Sequence, residues 1–123
     1  MGDTASSSRE TAKSIGRFLE EHRGVDTRVL DLAGRSSWTD YFVITTVLSN
    51  AHLQGLIRQL YEFLSEAGIE PRRRYRQVEE TGWVIVDCNE IVVHLMDAEK
   101  REFYDLENLW FQSKSLSYSS KSS

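Results

Sequence analysis

The chain is poor in cysteine, proline and excess positive charge. Cys88 is the single cysteine among 123 residues. That excludes an internal disulfide and a multi-cysteine zinc site, and it suits a reducing compartment. The single proline, Pro71, blocks continuation of one helix. Fifteen Lys and Arg stand against nineteen Asp and Glu, a formal net charge of −4. A domain built mainly to wrap phosphate backbone needs clustered cations, so that class recedes, whereas docking on a basic protein does not. No apolar run approaches the roughly 20 residues of a membrane span. The first residues lack an apolar signal core and carry Asp3 and Glu10, so the expected location is cytoplasmic.

What is present is an ordinary globular composition, 40% hydrophobic and 28% charged, in a length that suits one domain. Ser7 and Glu10 have capping-box spacing. Ala12, Ile15, Phe18 and Leu19 then recur at helical spacing up to a stop at Gly24. Val29 to Leu32 reads as a short strand. Tyr41 to Val47 is β-branched and aromatic throughout, as in a strand covered on both faces. Ser49 or Asn50 caps the strongest helix, whose stripe is Leu53, Leu56, Ile57, Leu60, Phe63, Leu64 and Ala67. Gly68 and Ile69 end it. Arg74 to Val78 reads as a weaker edge strand. Trp83–Asp87 and Ile91–Met96 are strong strands separated by Cys88-Asn89-Glu90, an antiparallel hairpin. Asp97 caps a last helix running to about Trp110. The predicted order is α-β-β-α-β-β-β-α: one α/β domain over residues 8–112, a mixed five-stranded sheet with helices on its faces. Residues 1–7 and the serine-rich 113–123 are expected to be disordered tails.

Few residues suggest reaction chemistry. Asp40 and Asp87 are strand-end acids of the kind that hold magnesium and a triphosphate. No Gly-Ser grip, D-x-D pair, P-loop or G-x-G-x-x-G accompanies them. His22, His52 and His94 show no metal-ligand spacing, so no metal or cofactor is expected. Cys88 lacks a paired base. The run Arg72-Arg73-Arg74-Tyr75-Arg76 suits either RNA phosphates with a stacked base or a charged edge strand. From Asp87 to Glu107 the balance reverses: seven carboxylates face only Lys100 and Arg101. Trp83, Phe103, Tyr104 and Trp110 are interleaved with them. Aromatic anchors ringed by one sign of charge suit an interface with a basic partner. The helical spacing of Phe103, Leu106, Leu109 and Trp110 also predicts that at least half of these simply pack on the sheet.

Three stretches together form a long signature: Trp38-Thr39-Asp40-Tyr41-Phe42-Val43-Ile44; Gly82 to Asp87 with Val92-Val93-His94; and Arg101-Glu102-Phe103-Tyr104-Asp105-Leu106-Glu107-Asn108-Leu109-Trp110. With the long helix they make the chain resemble the ribosomal silencing factor, or Iojap, family over roughly residues 8 to 112. Asn89 stands where that family usually has glycine, and Thr46-Val47 where it commonly has Thr-Gly. The resemblance implies a nucleotidyltransferase-like fold without the catalytic motif, hence no enzyme. It also implies binding to large-subunit ribosomal protein uL14, a block on subunit joining when nutrients are scarce, and a homodimer when free. The docking residues expected on this basis are Trp83, Asp87, His94, Asp97, Phe103 and Tyr104, with Glu99 and Glu107 at the rim and Asp40 and Tyr41 beside them. The alternatives are a magnesium-dependent nucleotidyltransferase-like enzyme using Asp40 and Asp87, or an RNA-binding regulator using the arginine run.

Overall fold

A computed structural model describes residues 4–32, 39–72, 82–105 and 114–115. Helix α1 spans Thr4–Glu21, β1 Val25–Asp31, β2 Tyr41–Thr46, α2 Asn50–Glu66, β3 Trp83–Asp87, β4 Ile91–Met96 and α3 Ala98–Tyr104, with a two-residue β5 at Lys114–Ser115. They form one mixed sheet in the order β3-β4-β2-β1-β5. β2 and β4 run parallel, and every other pairing is antiparallel.

The single domain, the mixed sheet and the β3–β4 hairpin agree with the sequence reading. Several details differ. α1 starts at Thr4, before the Ser7 capping box. The turn after it places Arg23, not Gly24, at positive φ. Gly24 is required instead for space: a Cβ there would lie 2.3 Å from Thr45 Oγ1 and 2.7 Å from the Leu19 carbonyl oxygen. The fifth strand is β5, inside the segment expected to be a disordered tail, because its backbone supplies β1 with an edge partner. The expected strand at 74–78 lies outside the described residues. α3 stops at Tyr104 rather than near Trp110, because Asp105 turns left-handed (φ 47°, ψ 56°) and its N–H closes on the Arg101 carbonyl.

α2 is bounded as its sequence dictates. Ser49 Oγ accepts the His52 N–H at 3.0 Å. At the other end Gly68 is left-handed (φ 76°). The Ile69 N–H reaches the Leu64 carbonyl and the Gly68 N–H that of Ser65, the paired bonds of a Schellman ending.

Side-chain alternation sorts the core into two clusters among the described residues. α1 and α2 pack on one face, where Ile15, Leu19, Leu53, Leu56 and Leu60 meet Val43, Val93 and Leu95. The second face carries Leu30, Leu32, Phe42, Ile44, Val92 and Met96, with Trp83 against them. No side chain of α1 or α2 belongs to that second cluster. The two long helices thus share one face, where the sequence suggested helices on both. Because β2 and β4 are buried on both sides, they read as unbroken apolar runs.

Candidate partner-docking surface

The parallel pair gives the sheet two unlike ends. At the carboxyl end, Val47 N–H bonds the Met96 carbonyl and Asp97 N–H bonds that of Gly82, both at 2.8 Å. Here Trp83, Asp97 and α3 come together. Asp97 caps α3, its Oδ1 accepting the Lys100 N–H at 2.7 Å. Gly82 (φ 77°) must remain glycine, since a Cβ would sit 2.2 Å from Asp97 Oδ2. A cleft of about 210 Å³ lies beside them, lined by Val47, Leu48, Ser49, Asn50, Leu53, Gly82 and Asp97.

α3 has its polarity inverted. Among its described side chains Arg101 alone is buried, at 8% exposure, whereas Phe103 is 78% exposed. Glu99 and Glu102 are exposed beside it. Arg101 Nη1 donates to Thr46 Oγ1 at 3.0 Å and to the Val25 carbonyl at 3.4 Å. Its Nη2 lies 3.8 Å from Asp26 Oδ2. A charged side chain turned inward and a phenyl ring turned outward cost free energy in water.

His94 and Trp83 form the floor of this end of the sheet. Trp83 Nε1–H donates to His94 Nδ1 at 3.2 Å, and the Phe42 ring meets His94 edge-on with centroids 4.5 Å apart. Indole has only a donor, so His94 Nδ1 must accept and the ring proton sits on Nε2. Burial lowers the His94 pKa to about 4, which keeps the ring neutral. Its buried Nε2 has no hydrogen-bond partner among the described residues.

The other expected site residues divide. Asp87 lies at the far end of β3, level with Val92 near the amino end of β4. Its Oδ1 accepts the Asn89 N–H at 2.9 Å, so it closes the hairpin turn in which Asn89 holds φ 80°. Asp40 is at the same amino end, its N–H on the Glu90 carbonyl. Both acids therefore lie at the end of the sheet opposite Asp97 and α3. Tyr41 points to the opposite face, in the helix-side core at 2% exposure, where burial first and the Asp31 carboxylate second raise its phenol pKa. The structure does not bring it to the docking end. The side chain of Tyr104, and Glu107 altogether, lie outside the described residues. Cys88 is buried, and desolvation, then the neighbouring Asp87, push its thiol up to about 11.

His22 and His52 join α1 to α2. The Leu48 N–H donates to His52 Nδ1 at 2.9 Å, leaving Nε2–H for the His22 carbonyl at 3.0 Å. Among the described residues no three His, Cys, Asp or Glu side chains gather as a metal site, and no helix is long and apolar enough to cross a membrane. Sequence reasoning missed the anchoring role of Arg101. Its partners lie 55 and 76 residues upstream, beyond the reach of any spacing rule.

The model of the family described as "Ribosomal silencing factor during starvation" matches residues 5–122. The chain belongs to the ribosomal silencing factor family. A ribosomal silencing factor of Treponema pallidum is 35% identical over 105 residues, which are 85% of this chain and 93% of that one. A mouse protein named "Mitochondrial assembly of ribosomal large subunit protein 1" is 31% identical over 95 residues, 76% of this chain and 42% of the mouse protein. A crystal structure of a Chromobacterium violaceum protein superposes with a TM-score of 0.76 at 29% identity, covering 92% of each chain. Family membership makes ribosome-linked regulation of translation the frame in which the exposed face of α3 is read.

Proposed function

We propose that this protein docks on the large ribosomal subunit through ribosomal protein uL14 and blocks subunit joining by occupying volume at the interface. The observation that carries this reading is the inverted polarity of α3, with Phe103, Glu99 and Glu102 all exposed. One exposed aromatic supplies a hot-spot anchor, and the flanking carboxylates select a basic surface and speed encounter. Asp97 and Trp83 complete the proposed docking face at the carboxyl end of the sheet, and His94 supports Trp83 from beneath; Tyr104 and Glu107 belong to the same proposal by sequence alone.

No turnover is needed. A steric block acts by stoichiometry, which fits a chain in which the Asp87 carboxylate closes a hairpin turn. Repression under nutrient limitation, in the cytoplasm, and a homodimer in the free state belong to the same reading. The name of the mouse relative, which mentions the large subunit, supports the choice of subunit. The magnesium reading has less support, since Asp87 closes the hairpin turn and no metal-binding cluster gathers among the described residues. The arginine run beyond Arg72 is outside the described residues, and Arg72 itself is engaged with Asn89 and lies 4.0 Å from Asp87.

Sedimentation with purified large subunits, small subunits and intact ribosomes tests the proposal. Co-migration with large subunits alone, weakened in Phe103→Ala, is expected. Binding to small subunits, or none at all, would refute it.

A further inference from the structure

We propose that Arg101 is the positioning residue of the docking helix. Its guanidinium, tied to β1 and β2, fixes the angle at which α3 presents Phe103 and the carboxylates beside it. The inference rests on the docking reading above.

α3 has seven residues, far fewer than a helix needs to persist alone in water. Its backbone is closed by Asp97 at one end and Asp105 at the other. Those caps define the turn of the helix but not its tilt against the sheet. Tilt requires a side chain that reaches the body of the protein. Among the described side chains of α3 only Arg101 is buried. Its Nη1 serves two acceptors on different strands, Thr46 Oγ1 on β2 and the Val25 carbonyl on β1, and Nη2 approaches Asp26. Two hydrogen-bond acceptors and a carboxylate at 3.8 Å around one planar fork define an orientation, which a leucine in the same place would not. β1 is shaped to receive it. Its register with β2 shifts between Val25 and Arg28, and Asp26 there takes a left-handed φ of 51°.

Thr46 offers a clean probe, because at 8% exposure it is out of a partner's reach. Valine there removes the acceptor and suits a strand at least as well. Large-subunit affinity would be measured for the unmodified chain, Thr46→Val, Phe103→Ala and the double variant. Losing one bond to a charged donor should weaken binding on the order of three- to tenfold in Thr46→Val. In the Phe103→Ala background the same change should matter less than about twofold, since the ring whose placement it controls is gone. Equal losses in both backgrounds, or none in either, would overturn the proposal. Arg101→Lys, which keeps the charge but not the fork, should fall with Thr46→Val, and full binding by it would also count against the proposal.

A second reading needs no ribosome. Hydrogen exchange of the Arg101 and Asp105 amides, which bond the Asp97 and Arg101 carbonyls, should quicken in Thr46→Val while β4 amides hold. Unchanged protection in α3 would rule out the clamp. If the unmodified chain failed to bind large subunits, the docking reading would fall, and exchange would still show whether Arg101 holds α3.

Discussion

At the scale of single residues, environment decides chemistry more than residue type does. His94 is a histidine that desolvation keeps neutral. Its folded pKa of about 4 lies below the unfolded value near 6.5. The unfolded chain therefore takes up the proton first as pH falls. The stability held in the neutral ring is complete above about pH 6.5 and is lost progressively down to about pH 4, with a slope approaching roughly 1.4 kcal/mol per pH unit. Urea unfolding across this range should show one proton more of pH dependence in the unmodified chain than in His94→Phe. Equal slopes would mean that His94 is solvated. Cys88 gives a parallel expectation: with its thiol pushed up to about 11, an aromatic disulfide reagent at pH 8 should label it only as fast as the protein opens. Gly82→Ala should destabilise by more than about 1 kcal/mol, since it combines a positive φ with a steric conflict against Asp97.

At the scale of elements, the sequence disclosed what periodicity and capping control. α2 was legible from Ser49 to Ile69 because its cap, stripe and terminal glycine are all local. β2 and β4 were legible because burial on both faces leaves no polar break. Three things were not legible. The end of α3 depends on Asp105 turning left-handed, which no glycine announced. β5 exists because β1 offers an open edge to a serine-rich segment, which composition alone marks as loose. Phe103 sits in phase with Leu106 and Leu109, yet the helix ends before that phase can place it on the sheet. The docking end could be read as a cluster of acids and aromatics. Spacing did not disclose that Asp87, ten residues from Asp97 in the chain, lies at the opposite end of the hairpin in space. Asp97→Asn should retain the cap on α3, since Asn caps about as well as Asp, whereas Asp97→Ala should cost about 1 kcal/mol of stability. Thermal unfolding of the pair separates the cap from the charge. Weaker subunit binding in Asp97→Asn, with its unfolding temperature unchanged, would assign the charge to docking.

At the scale of the molecule, the fold is one mixed sheet with unlike ends. Two helices brace one face of the sheet, and the carboxyl end carries a short helix whose greasy residue faces solvent. Net negative charge discourages adhesion to rRNA, while the local carboxylates favour a basic protein surface. Phe103→Ala should leave thermal stability within about 0.5 kcal/mol, as for an exposed residue, yet cost on the order of 2–4 kcal/mol of binding. The central claim is that occupancy itself prevents joining. Its most direct test is light scattering of purified small and large subunits mixed with increasing protein. The account predicts that joining falls in step with the fraction of large subunits occupied, reaches a full block near one copy per subunit, and recovers with Phe103→Ala. Undiminished joining at saturating occupancy would contradict it.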